Sequence, residues 1–364
     1  MKPQVSSRIY HIDALRGVAI LMMLQGHFIY TLMQNEVRVG AIYEFWKFCR
    51  GLTAPVFFTT SGVILVYLLL RKPEDHYRKL RIKKAFWRGL ELIMWGYLLR
   101  FNLWPFLAYG KVYNEFWRVD VLQCIGAGLL LIALIYYLVS KLPDNAFRII
   151  LPLLAISIFI FHPIYYSYDY SSWPPAIRNY FTREYGSVFK LLPFLGYVLV
   201  GAFLGSLYTA LYEKRKAIFI GGLLVLGLLL TFKSSWALQQ LYYITDIELF
   251  KRVANNNFGF WRLGQIFLIY AVFMLAEPIL PRLRILNKLG QHTLTVYIIH
   301  FFILYGSVFG LGLDDIFIEK KTLGPYEAVI GAAIFLVSVS WLTVKYHKWK
   351  DGGYTITRFP MRKS

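Results

Sequence analysis

Apolar runs of roughly 18 to 22 residues recur along this chain, each long enough for a helix to cross a bilayer. Ten such runs fall at about 15–34, 51–70, 86–108, 121–140, 148–166, 188–212, 217–233, 258–277, 291–311 and 326–346. None shows the period-2 alternation that a membrane barrel requires. In lipid a backbone must satisfy its own polar groups, so apolar runs of this length have to be helices. The expected fold is therefore all-α: a polytopic integral membrane bundle of about ten transmembrane helices. Composition agrees, with 57% hydrophobic and only 16% charged residues, far from a soluble domain.

A formal net charge of +20 invites a nucleic-acid reading, but the distribution of charge opposes it. With both termini cytoplasmic, the inner segments hold roughly 25 Lys and Arg and the outer loops about 13, as the positive-inside rule requires. The partners implied are membrane lipids, with no nucleic acid. The heaviest cluster is RKPEDHYRKLRIKKAFWR, which carries Arg71, Lys72, Arg78, Lys79, Arg81, Lys83, Lys84 and Arg88. It reads either as a topology determinant resting on anionic headgroups or as a docking surface for a polyanionic cytosolic cofactor, with Arg88 at the start of the third span.

No Pro-, Gly- or Ser-rich linker divides the sequence, so residues 1–364 read as a single membrane domain ending in a short basic tail from about 347. The first run follows a basic leader without a small-residue cleavage pattern and is expected to stay as a helix. Cys49 and Cys124 are assigned to packing. Gly201 and Gly205 form a small-xxx-small pair suited to close helix crossing. The longest outer connections, 167–187 and 234–257, mix aromatic and polar residues that would serve as interface anchors or as a sugar platform.

Several polar residues stand where a bilayer should not tolerate them. Arg16 and His27 are eleven residues apart in the first span, which puts them on nearly one helix face about 16 Å apart. Asp13 is placed to pair with Arg16. At the fourth span, Arg118, Asp120 and Gln123 gather in FWRVDVLQCIGAG, and Asp120 reads either as the acid that orients a His27 imidazole, as a carboxylate does beside a catalytic histidine, or as half of an interfacial Arg–Asp pair. GLTAPVFFTTSGVIL combines Pro55 with Thr59, Thr60 and Ser61, so a kink or a cavity wall is expected. Glu91, Arg100, Trp261, Arg262, Gln265, His292, Thr295 and His300 complete the set. His292 and His300 are eight apart and could share a face, yet no third ligand has metal-site spacing, so no metal is expected. Nucleophile-elbow, phosphate-loop and H-E-x-x-H motifs are absent.

These segments resemble a known family. HIDALRGVAILMMLQGH resembles the first helix of the transmembrane acyltransferase superfamily, APVFFTTSGVIL its second-helix Ser-Gly signature, and LGQHTLTVYIIH a late-helix motif. RVDVLQCIGAG resembles the Arg…Leu-Gln segment of the heparan-alpha-glucosaminide N-acetyltransferase branch. The resemblance implies an acyltransferase that passes an acyl group, most commonly acetyl, from cytoplasmic acyl-CoA (acetyl-CoA) to a hydroxyl or amine of a glycan or amino-sugar acceptor on the extracytoplasmic face. It carries over His27 as the membrane histidine, Arg16 as the helix-start arginine, and Arg118 with Gln123 as the fourth-helix pair. In the lysosomal enzyme the position matching His27 is an asparagine and the catalytic histidine lies in the following loop. Residues 34–50 here hold no histidine, so the chemistry is expected to rest on His27.

Together these readings make His27 and Asp120 the expected catalytic residues, and Arg16, Arg88, Ser61 and Lys84 the expected acyl-CoA contacts. Asp13, Arg118, Gln123, Arg262, Gln265, His292 and His300 are expected as a substrate-binding or structural polar cluster. A multi-pass protein of a bacterial cytoplasmic membrane is expected, with a homodimer among the assemblies open to it. A transporter or flippase for a polar or lipid-linked sugar is the competing reading, because buried polar residues would serve it too.

Overall fold

The computed structural model describes residues 8–70, 75–112, 114–139, 144–212, 214–316 and 321–352. Arg71 and Lys72 of the basic connection, and the tail from residue 353 onward, lie outside the described residues. In chain order the helices are α1 (Tyr10–Leu32), α2 (Ala41–Arg50), α3 (Thr53–Leu70), α4 (Asp75–Leu98), α5 (Leu103–Tyr109), α6 (Val121–Leu138), α7 (Asp144–Ile160), α8 (His162–Tyr166) and α9 (Pro175–Arg178). They continue with α10 (Leu191–Leu207), α11 (Lys216–Thr245), α12 (Glu248–Asn255), α13 (Phe258–Leu275), α14 (Arg284–Gln291), α15 (Thr293–Tyr305), α16 (Leu313–Ile316) and α17 (Pro325–Gly352). Among the described residues there is no strand, only one isolated parallel bridge between Met33 and Leu323.

Seven helical segments are long and apolar enough to cross a membrane, and an eighth is counted when α14 and α15, bent by 81° at His292, are taken as one broken span. The expected count of ten also included α4 and α7. α4 carries its basic cluster inside the helix and α7 is short, so neither meets the length and charge requirement of a simple span. The bundle is thus a multi-pass membrane fold with two atypical helices.

Three local expectations change. Pro55 lies in the first turn of α3, where its missing N–H has no intrahelical partner to lose, so of the kink or cavity wall expected here the kink is absent and the wall is present, with Phe57 and Ser61 bordering a cavity. Residues 234–245 are not loop: α11 continues without a break to Thr245, followed by α12. The expected tail begins inside α17, which holds His347 against the bundle. The 167–187 connection is compact, its Tyr170 ring stacked on Phe181 at 5.6 Å with Trp173 edge-on to both. Those rings are spent on one another.

A close crossing joins α3 to α10. A Cβ at Gly201 would sit 2.0 Å from the Thr59 carbonyl oxygen, and one at Gly62 would sit 2.1 Å from that of Val198. Only glycine permits this approach, which fulfils the small-residue pattern of the sequence. Thr59, Thr60 and Ser61 donate their hydroxyls to carbonyls one turn back, at 2.8, 2.8 and 2.7 Å, so these polar groups are satisfied within the helix itself. The rest of α3 is free to face elsewhere.

Candidate active site

One cavity of about 550 Å³ opens inside the bundle between α1, α3, α4, α6 and α15. Arg81, Lys84, Arg88 and Arg16 line one end, and His27 and Asp120 line the other. Its walls are mainly apolar, with Phe57, Ile64, Leu65, Ile125 and Leu129 among them, and Ser61 supplies a hydroxyl partway along. Every residue expected to contact acyl-CoA or act catalytically therefore borders a single space. The helical register explains this: Arg16, Ile20, Met23 and His27 fall at intervals of three or four along α1 and form one stripe.

At the basic end the Arg16 guanidinium donates to Thr293 Oγ1 at 2.5 Å. The anticipated Asp13–Arg16 pair is replaced. Asp13 accepts from Gln291 Nε2 at 3.0 Å and lies 3.6 Å from Arg8 Nε, because α14 crosses α1 closely at Gly290. Among the described residues no carboxylate lies within 4 Å of Arg16, Arg81 or Lys84. Arg88 does pair with Glu91, at 2.7 Å. The mouth is cationic and largely uncompensated, a setting that favours a phosphate.

At the far end His27 Nδ1 lies 3.2 Å from Nε2 of His300, a residue with no solvent exposure. Asp120, the expected orienting acid, has other partners. It accepts from Arg100 at 2.6 Å and from the Val121 amide at 2.7 Å, while Gln123 Oε1 accepts from the Asp120 amide at 3.1 Å. This capping box starts α6, so the carboxylate that borders the cavity is also the one that anchors the helix. Tyr297, one turn before His300, joins the lining. Residue pattern alone could have flagged it, since positions three apart on a helix share a face. Thr293 carries no such signal, because its place depends on the break at His292.

The remaining candidates lie elsewhere. Arg118 is part-exposed and pairs with Glu115 at 3.2 Å. Gln123 is wholly buried in the capping box. Arg262 donates to Gln265 at 2.8 Å inside a cage of Phe48, Phe258 and Trp261 rings. His292 and His300 do not share a site: the bend sends His292 onto His347, rings stacked at 3.5 Å, while His300 faces His27. Among the described residues no group of three or more His, Cys, Asp or Glu could hold a metal ion. Cys49 and Cys124 are unbonded.

The described residues form an all-helical, multi-pass bundle whose cavity is cationic at one end and reaches His27, backed by the buried His300, at the other, the architecture of a polytopic membrane protein with a site inside its own core. The chain belongs to the heparan-alpha-glucosaminide N-acetyltransferase catalytic family, whose sequence profile matches residues 8–247. That membership makes it a membrane acyltransferase, of a family whose chemistry implies acetyl-CoA as donor and a glycan as acceptor. The matched region contains Arg16, His27, Ser61, Lys84, Arg88 and Asp120 and stops short of Arg262, His292 and His300. Comparison with curated proteins gives no match.

Proposed function

We propose that this protein transfers an acetyl group from acetyl-CoA, bound from the cytoplasmic side, to an amine or hydroxyl of a glycan or amino-sugar at the opposite face. The observation that carries the reading is the single cavity with Arg16, Arg81, Lys84 and Arg88 at one end and His27 at the other. The donor's phosphates fit the cationic mouth. Its flexible arm lies along the apolar wall past Ser61 and brings the thioester toward His27. The distance to cover is about 16 Å along α1.

In this reading His27 carries its proton on Nδ1 and donates it to His300 Nε2, leaving Nε2 as the lone pair turned to the cavity. The acceptor's nitrogen or oxygen attacks the thioester carbon as its proton passes to His27 Nε2, and the C–S bond breaks to release the CoA thiolate, which takes a proton in turn. Asp120, held by Arg100, stabilises the charge that develops on the imidazole. An acetyl-histidine intermediate would use the same Nε2.

The test is transfer from labelled acetyl-CoA by the purified protein in lipid vesicles. His27→Ala is expected to fold and to lose transfer, and full activity in that variant would remove His27 from the chemistry. Movement of a sugar across the vesicle without thioester consumption would favour a transporter instead.

A further inference from the structure

Along α4 the residues Leu80, Lys83, Lys84, Trp87, Arg88 and Glu91 line a second, shallow and open groove on the outer surface. Their spacing of three and four places them in one stripe along the helix. We propose that this groove is a binding site for the phosphate-bearing headgroup of an anionic phospholipid.

Charge complementarity and depth carry the argument. Trp87 is 60% exposed and Leu80 43%, and Lys83, Lys84 and Arg88 are exposed beside them. Past this point α4 turns apolar on its surface, with Met94 56% exposed. An exposed indole between a basic half and an apolar half of one helix marks headgroup level. Neither Lys83 nor Lys84 has a carboxylate within 4 Å among the described residues, and Arg88 has only Glu91. Glu91 closes the apolar end of the groove, and its charge stops an anion from sinking deeper. The phosphate then sits among the two lysines and Arg88, with the glycerol and upper chain against Trp87 and Leu80.

The groove and the inner cavity meet at Lys84 and Arg88 and diverge on either side of them. Lys83 and Trp87 border the groove alone. A nucleotide bound there would hold its thioester arm on the wrong side of α4, which is why lipid is the occupant assigned. The preference for lipid over nucleotide rests on the proposed function, whereas the groove itself rests on the surface of α4.

The full chain would be reconstituted in nanodiscs of phosphatidylcholine, with and without phosphatidylglycerol, and its bound lipid read by native mass spectrometry alongside thermal unfolding. Selective retention of phosphatidylglycerol is expected, with a rise in unfolding temperature. Lys83→Ala is expected to weaken retention about fivefold, the effect of one basic charge near a membrane surface. Trp87→Leu, which keeps an apolar side chain, is expected to weaken it as well. Equal retention of both lipids, or retention unchanged in the Lys83→Ala/Trp87→Leu double variant, overturns the site. So does stabilisation by inorganic phosphate equal to that by phosphatidylglycerol. CoA binding that weakens in those variants while lipid retention stays intact would assign the groove to the nucleotide and overturn it too.

Discussion

His300 Nε2 stands 3.2 Å from His27 Nδ1, and α15 holds it there with no exposure to solvent. A histidine in that position can fix which nitrogen of its neighbour carries the proton, the task that usually falls to a carboxylate. His300→Ala is expected to lower kcat for acetyl transfer by about ten- to hundredfold while leaving the acetyl-CoA KM nearly unchanged. A kcat loss accompanied by an equal rise in KM would count against this positioning role. His27→Ala should lose at least about a hundredfold.

Asp120 serves α6 as N-cap and Arg100 as ion-pair partner, with only 8% and 15% side-chain exposure across the pair. Asp120→Asn retains most of the cap but leaves the Arg100 guanidinium without its counter-charge. Breaking a buried pair this way costs about 3–5 kcal/mol. The purified variant should unfold at a clearly lower temperature, and pairing it with Arg100→Gln should restore part of the loss. Additive losses in the double variant would show that the pair does not couple.

Arg16 reaches Thr293 across the mouth of the cavity, tying α1 to the start of α15. Arg16→Ala is expected to raise the acetyl-CoA KM by about ten- to hundredfold, the worth of a charge-assisted hydrogen bond to phosphate. Thr293→Val should produce a smaller rise, because it frees the guanidinium without removing it. The check is steady-state kinetics against donor concentration, and an unchanged KM in Arg16→Ala would detach Arg16 from donor binding.

Glu277, between α13 and α14, accepts from His11 Nδ1 at 3.1 Å and from Tyr212 at 2.9 Å, and it also pairs with Lys216. The hydrogen bond from His11 does most to pull its carboxyl down to about 2, with Lys216 and Tyr212 adding to it. A depressed carboxyl stabilises the fold above its unfolded value of 4.5 and gives that up as pH falls toward 2. The stability gap between wild type and Glu277→Gln should therefore close as pH falls from about 4.5 to 2. Thermal melts across that range would reveal it, and a pH-independent gap would contradict it.

The seam between α3 and α10 has almost no tolerance, since a Cβ at Gly201 meets the Thr59 carbonyl at 2.0 Å. Gly201→Val should abolish folded, monodisperse protein, whereas Gly221→Val, at a glycine with open space around it, should have little effect. Normal behaviour of Gly201→Val on size exclusion would show that the helices can separate there.

Much of this was legible because period and polarity speak directly. Arg16 and His27 share a helical stripe that any reader of the first span can count, and the glycines at 201 and 205 announce a close crossing. Asp120 was visible as an acid at the mouth of α6, but its partner was not, because Arg100 comes from another helix and only tertiary packing joins them. The same applies to His300, whose neighbour is 273 residues away. The separation of His292 from His300 was hidden for a different reason: an unbroken 3.6-residue count runs straight through the bend at His292. The expected span at 86–108 is not matched by one apolar helix: α4 joins a basic half to an apolar half, and a break at 99–102 separates it from α5.

α3 presents two surfaces with opposite tolerances. Thr59, Gly62 and Val63 meet the backbone of α10, whereas Phe57, Ser61, Ile64, Leu65 and Leu68 border the cavity. Substitutions on the second set can reshape the lumen while the first set keeps the scaffold in register. The lumen and the scaffold are thus separable on a single helix: one face can change without the bundle being rebuilt around it.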